Sequence, residues 1–331
     1  MRRIAAKLFN PKSDRAGSDP RRSRRWWKRV ALDKSAHYTM RLLTMATVGL
    51  VPLIAGALLW RAWPILATHR LTSLLFSQAW HPLRGEFGFL PFIMGTLWVT
   101  TVAMLLAVPP SLLTAIYLAE YAPVRVQRLA NPVIDLLAGI PSVVYGVWGV
   151  LVIVPLVGNQ ILPFVSRHLG ALALFRTDNP TGFGVLAGGA VLAVMIFPLI
   201  IAVAQDLIRA VPQGLREASL SLGATRWQTV KHVVLRRARA GVVAAVVLGC
   251  SRALGETMAV LMVVGNVPQI PRSIFDAAYP LPALIANNYG EMMSVPLYDA
   301  ALLGSALVLL LVVLGFNVAS RLAVMRLVGT N

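Results

Sequence analysis

Two opposite charges lie inside one of the most apolar stretches of this chain. Arg252 and Glu256 occur in the run GCSRALGETMAV at 249–260. Either charge alone would cost about 2.5–3.5 kcal/mol at the centre of a bilayer. Their i,i+4 spacing predicts that they meet on one helix face. Two interpretations stay open. The pair could fix helix packing, or Arg252 could bind an anion such as phosphate, whose oxygens match its planar donors.

A ridge of small residues runs beside these charges. Gly241, Ala245, Gly249 and Ala253 recur every four residues, a pattern typical of close helix packing in membranes. Arg252 lies three positions beyond Gly249, so at 100° per residue its side chain is rotated about 60° around the helix axis from this ridge. One face of the helix is therefore expected to pack while the neighbouring, charged face borders a cavity.

The elements that must position these residues are membrane spans. Of 331 residues, 57% are hydrophobic and 13% are charged, whereas soluble domains carry about 25% charged residues. The apolar runs are continuous, which excludes the period-two pattern of a barrel.

Pro109-Pro110 and Pro141 are predicted to break or kink the second and third of six spans, and broken helices favour a transport path. The six predicted spans are 42–64, 90–119, 131–157, 184–205, 240–265 and 298–325.

The basic residues predict the orientation of these spans. One side carries 24 of the 31 Lys and Arg residues, including 13 in residues 1–41. Because basic residues prefer the cytoplasmic side, we expect a multi-pass protein of the plasma (inner) membrane with both termini cytoplasmic. We divide it into a basic arm, 1–41, and a membrane domain, 42–331. The arm adjoins a span, which favours contact with membrane lipid over nucleic acid.

A polar segment, 212–236, separates two long apolar runs and is predicted to be cytoplasmic. A short helix is expected at 213–222, where small residues form one face that could enter a partner's groove. Gly223 permits a turn at its end. Thr225 and Gln228 form a capping-box pattern that begins a second helix.

The same segment resembles the EAA loop of ABC importer permeases. The likeness rests on Glu217-Ala218-Ser219, on Gly223 and on the aliphatic run at 233–235. It implies an all-α, type I (MetI-like) permease fold with a coupling helix, in which Glu217, Ala218 and Gly223 dock on a cytosolic ATPase dimer. The chain departs from the pattern at Ser219, usually alanine, and at Arg236, usually proline.

Three further motifs resemble the PstC-type permeases of phosphate-specific ABC importers: LAEYA at 118–122, LAGIPSVVYG at 137–146 and RALGETMAV at 252–260. This resemblance implies half of a phosphate pathway lined by Arg252 and Glu256. It implies a PstA-type sister permease, a dimeric PstB-type ATPase and an external PstS-type phosphate-binding protein as partners. ATP and Mg²⁺ would bind the ATPase, since this chain has no GxxxxGK[ST] loop. No catalytic residue, metal or cofactor is expected on it.

Other functions remain open at this point. The chain could be an ABC permease for another oxyanion, such as sulfate or molybdate. It could be an ion-driven secondary transporter, which would predict inverted repeats with matching broken helices. A membrane enzyme is disfavoured because, apart from Arg252 and Glu256, no intramembrane polar pair approaches a catalytic arrangement. Asp135 could pair with a neighbour or line the path.

Overall fold

The computed structural model describes residues 20–169, 172–291 and 294–329, which are almost entirely helical. Two compact units are separated along the chain, one ending at Ala57 and the other beginning at Leu58. Residues 1–19 of the predicted basic arm lie outside the described residues. The division into an arm and a membrane domain at 41/42 stays a prediction.

The first helix, α1 (Pro20–Thr68), is long and apolar. Its stretch Leu32–Thr68 is long and apolar enough to cross a membrane. Between residues 32 and 57 no side chain is buried, and Leu42 and Leu53 are among those exposed. A helix that exposes apolar side chains on all sides is typical of a membrane span.

Eleven further helices and one short hairpin follow α1 in the described residues. Two antiparallel two-residue strands, β1 (Trp80–His81) and β2 (Glu86–Phe87), precede the second span. π-helical turns at Tyr117–Tyr121 and Val230–Val234 follow α3 and α8. The helices are α2 (Leu71–Phe76), α3 (Leu90–Ile116), α4 (Val124–Gly139), α5 (Ser142–Leu169), α6 (Val185–Arg209), α7 (Gln213–Ser221), α8 (Arg226–Thr229), α9 (Leu235–Leu254), α10 (Met258–Val263), α11 (Leu281–Asn288) and α12 (Tyr298–Gly329).

The core of the second unit is built on α3 and α6. A Cβ added at Gly189 of α6 would lie 2.5 Å from Val102 of α3, so glycine allows the two backbones to approach closely. Large side chains of α6, among them Leu192 and Ile196, are fully buried in the same cluster. These two helices therefore belong to one closely packed core.

Five helices of the described residues are long and apolar enough to cross a membrane. The span predicted at 240–265 is not one of them, because α9 ends at Leu254 and Gly255–Thr257 is not helical. The 20 residues of α9 nevertheless extend about 30 Å, the thickness of a bilayer core. The expectation of one continuous helix through 265 is wrong.

The prolines act differently from one another. The helix α3 runs through Pro109 and Pro110 without a break, so the predicted break does not occur there, and a kink at these prolines stays a prediction. Pro141 does interrupt the chain, as predicted, and separates α4 from α5. The third span consequently begins at Ser142. The predicted span 131–157 began too early, because its first residues belong to the separate helix α4.

The predicted small-residue ridge packs α9 against α6. A Cβ at Gly249 would lie 2.6 Å from Ile200 Cγ1, so Gly249→Val must displace the buried Ile200 side chain or one of the two helices, at a cost of about 1–3 kcal/mol. We expect this variant to melt at a lower temperature than wild type in detergent. Gly315→Val is the matched control, because a Cβ at Gly315 meets no atom within 4 Å. Equal melting temperatures for the two variants would contradict the close packing.

Candidate functional site

The polar segment forms the two short helices and the turn that the sequence predicts. The helix α7 ends at Ser221, and Gly223 follows with a φ of 85°, a conformation that glycine adopts without steric cost. The backbone N–H of Gln228 donates to Thr225 Oγ1 at 3.3 Å, and that of Thr225 donates to Gln228 Oε1 at 2.8 Å. The capping box is therefore confirmed.

The helix α7 has one face against the protein and one free face. Arg216 bonds to groups of neighbouring elements, and the hydroxyls of Ser219 and Thr229 are 2.9 Å apart. Ala218 lies about 160° around the helix from Arg216. Both Glu217 and Ala218 are exposed. The free face is thus built from a small residue and a carboxylate, while the serine that replaces the motif alanine joins α7 to α8.

Sequence reasoning missed an ion pair that holds the inner face of α7. Arg216 Nη2 lies 2.7 Å from Glu120 Oε1. Glu120 belongs to the LAEYA motif, and Arg216 directly precedes Glu217. The two residues are 96 positions apart, so no helical periodicity connects them.

Arg236, which stands where proline is usual in the resembling loop, is the exposed second residue of α9. The chain passes from the π-helical turn Val230–Val234 directly into α9. No irregular residue separates them, so the approach to this span is helical throughout. That Arg236 alters the coupling geometry stays a prediction.

The structure corrects the geometry predicted for Arg252 and Glu256. Because α9 ends at Leu254, the two residues do not share a helix, and the described residues contain no ion pair between them. Glu256 instead accepts a 3.4 Å hydrogen bond from the backbone N–H of Ala259 in the first turn of α10. Arg252 is exposed, and no hydrogen bond of its guanidinium is found within the described residues.

The helices that follow the two interruptions, α5 and α10, pack on each other. A Cβ added at Gly146, five residues after Pro141, would be 3.2 Å from Ala259 Cα, four residues after Gly255. Tyr145 is buried, donates its hydroxyl to the Leu137 carbonyl at 2.8 Å and interacts electrostatically with Arg252.

Irregular backbone at membrane depth requires protein or a water-filled cavity around it. Pro141 and Gly255 are exposed in the described chain, so the chain itself covers the two breaks only in part. The helices that follow them, α5 and α10, pack on each other, and this contact brings the motifs LAGIPSVVYG and RALGETMAV, which are far apart in the sequence, into one region.

Asp135 lies on α4, outside the long spans. It is exposed and has no ion pair among the described residues. The neighbour that the first interpretation required is therefore absent from the described part of this chain. Whether Asp135 lines the path is not tested by this arrangement and stays a prediction.

Comparison with known proteins decides the family. A model described as "Binding-protein-dependent transport system inner membrane component" matches residues 111–328, well over half of the chain. The chain belongs to this family. This inner membrane component is also similar to "Phosphate transport system permease protein PstC" of Xylella fastidiosa (strain 9a5c), with 38% identity over 302 residues, 89% of this chain and 92% of that protein. The protein of the same name from Haemophilus influenzae is 34% identical over 313 residues, 94% of this chain and 98% of its own length.

Solved structures confirm the fold of the inner membrane component. The MetNI methionine ABC transporter, in an inward-facing conformation, matches with a TM-score of 0.51 at 22% identity, over 70% of this chain and 93% of its own. A bacterial ABC transporter that imports alginate matches with a TM-score of 0.51 at 17% identity, over 90% and 98%. The predicted all-α, MetI-like permease fold of a multi-pass membrane protein is therefore correct.

Proposed function

We propose that this chain is the permease subunit of an ATP-driven importer of inorganic phosphate and forms half of its translocation pathway. Support comes from relatives named as phosphate transport permeases that match nearly the full chain. The partners would be a PstA-type sister permease, a dimeric PstB-type cytosolic ATPase and a PstS-type external phosphate-binding protein. ATP and Mg²⁺ would bind the ATPase, and this chain would carry no catalytic site of its own.

One observation carries the pathway assignment: Arg252 is an exposed cation near the end of α9, the helix that we assign to the fifth span, and it has no ionic partner in the described chain. It lies 13 residues beyond Arg239 on α9, which is about 20 Å at 1.5 Å per residue. A guanidinium at that depth cannot face lipid without a cost of about 2.5–3.5 kcal/mol. Its exposed side therefore faces water, an anion or the sister permease, and a path at the permease interface supplies all three.

Glu256 would limit how tightly this path holds its cargo. Its half-buried carboxylate lies just beyond the end of α9 and accepts a hydrogen bond from the first turn of α10. A negative charge near Arg252 weakens the binding of an anion, and conduction requires that the anion leave again. In this proposal Arg252 attracts phosphate, and Glu256 prevents a permanent phosphate complex.

The coupling role belongs to Glu217, Ala218 and Gly223. The exposed face of α7 would dock on the ATPase, and Gly223 would permit the turn that presents α7 beside α8. With α7 cytoplasmic, both termini would be cytoplasmic too, as the distribution of basic residues predicts. Nucleotide-driven closure of the ATPase then shifts the permease between outward and inward states, provided that the ATPase binds the two states with different affinity.

Uptake by the reconstituted complex tests this function. Liposomes containing this chain, the sister permease and the ATPase receive the binding protein outside, ATP on the ATPase side and radioactive phosphate. We expect ATP-dependent uptake that excess unlabelled phosphate suppresses and excess sulfate or molybdate does not. Suppression by sulfate or molybdate would favour the other oxyanion, and uptake driven by an ion gradient without ATP would favour a secondary transporter.

A further inference from the structure

Arg216 bonds to three different groups at the predicted cytoplasmic end of the described structure: a carboxylate and two backbone carbonyls. Its Nη2 donates to Glu120 Oε1 at 2.7 Å, and its Nε lies 3.2 Å from Oε2 and 3.3 Å from Oε1. The Arg216 and Glu120 side chains are only 19% and 10% exposed. Such a forked, poorly hydrated pair has a fixed geometry, unlike a surface ion pair.

The same guanidinium also holds the end of α6. Nη2 donates to the Ile208 carbonyl at 3.0 Å, and Nη1 donates to the Val211 carbonyl. The last carbonyls of a helix have no partner within the helix and attract cations. Arg216 therefore joins three elements at one point: α7, the C-terminal end of α6 and the π-helical turn that extends α3.

Two more arginines strengthen the connection between these helix ends. Arg209 of α6 donates to the Leu118 carbonyl at 3.3 Å and to Gln127 Oε1 at 2.8 Å. Arg226 of α8 lies over the ring of Tyr121, 5.7 Å from its centroid. The end of α3 is thus bound from α6, α7 and α8, so it cannot move independently of α7.

The helix α3 connects this point with the opposite half of the membrane. It packs closely on α6 along its length, as Gly189 and Val102 show. Further toward its beginning, Thr96 and Thr100 line a small cavity together with Glu256. A displacement of α7 can therefore reach the region of Glu256 through packed, rigid elements, which is what energetic coupling over such a distance requires.

We infer that Arg216 is a positioning residue that transmits movement of the docked α7 to α3 and α6. The inference rests on the proposed function, because it requires an ATPase that moves α7. It assigns to Arg216 and Glu120 a role in coupling ATP hydrolysis to transport rather than in binding either the ATPase or the anion. The competing interpretation is that the pair only stabilises the folded chain.

Reconstituted complexes with Arg216→Gln, Glu120→Gln and the double substitution separate these roles. Each variant is measured for assembled complex, for ATP hydrolysis with the binding protein present and for phosphate uptake. If Arg216 couples the helices, uptake per ATP hydrolysed falls by about tenfold or more, while assembly and hydrolysis stay within about twofold. The double variant loses no more than either single variant, because the two residues act as one connection. Arg216→Lys keeps the charge and recovers part of the uptake.

Arg237→Gln is the matched control, since it removes an exposed cation at the same end of the protein. We expect its ratio of uptake to hydrolysis to equal that of wild type. The inference is overturned if Arg216→Gln keeps the wild-type ratio, or if uptake and hydrolysis fall together in proportion to lost complex. If the wild-type complex imports another oxyanion instead of phosphate, the proposed substrate is wrong, and the same ratio measured with that anion still tests Arg216.

Discussion

Arg252→Ala is expected to reduce phosphate uptake by the reconstituted complex to background while the four kinds of subunit still assemble. Arg252 offers two parallel charge-assisted hydrogen bonds to an oxyanion, each of about 1.5–3 kcal/mol. Losing them lowers uptake by about a hundredfold or more, since each 1.4 kcal/mol is tenfold. Arg252 is exposed and has no ion pair within the described chain. Truncating its side chain therefore removes few packing contacts, and the subunits should still assemble. Uptake at a series of phosphate concentrations and gel filtration of the complex measure the two effects.

Two further variants decide what that loss means. Arg252→Lys keeps the charge but lacks the planar fork, so we expect measurable uptake at reduced apparent affinity. Arg84→Ala removes an exposed arginine from the loop between β1 and β2 and should leave uptake unchanged. Transport by Arg252→Ala at wild-type affinity and rate would exclude Arg252 from the pathway.

Local patterns in the sequence predicted the structure of the polar segment, 212–236, well. The capping box at Thr225 and the left-handed Gly223 depend on residues within a few positions of each other. A hydroxyl, a side-chain amide and a glycine fix these conformations by themselves. For that reason α7 and α8 could be placed from the sequence without knowledge of the rest of the fold.

The errors arose where tertiary packing or a local break overrides periodicity. The i,i+4 pairing of Arg252 with Glu256 assumed a helix that continues through Gly255, but α9 ends one residue earlier. Glycine and threonine are weak helix formers, so this break was open to prediction. The segment that packs beyond it could not be predicted in the same way, because Gly146 of α5 packs on Ala259 and no local rule connects those residues.

Long-range contacts were the part that the sequence could not supply. The ridge at Gly249 predicted close helix packing, but only the structure identifies Ile200 as the residue that it meets. Likewise, Glu120 lies within a recognisable motif and Arg216 directly precedes another, yet their pairing depends on the register of α3 against α6. A single sequence contains no signal for that register.

Ala218→Trp is expected to weaken docking of the ATPase and to abolish uptake. The free face of α7 has a methyl group at this position, opposite the side held by Arg216. A groove shaped for a methyl group can accept an indole only by rearranging, at about 1–3 kcal/mol, which is about 5- to 150-fold in affinity. Co-purification of the ATPase with the permease pair, at several ATPase concentrations, measures this loss.

Ala218→Ser adds a single hydroxyl group, so docking and uptake should stay near wild type. Ala67→Trp introduces the same indole at an exposed residue near the end of α1, on the side predicted to face outward, and should leave ATPase binding unchanged. Because the ATPase is cytosolic, a loss confined to Ala218→Trp would also place α7 in the cytoplasm and confirm the predicted orientation. If Ala218→Trp bound the ATPase and imported phosphate like wild type, α7 would not be the docking helix, and energy from ATP would have to enter the permease elsewhere.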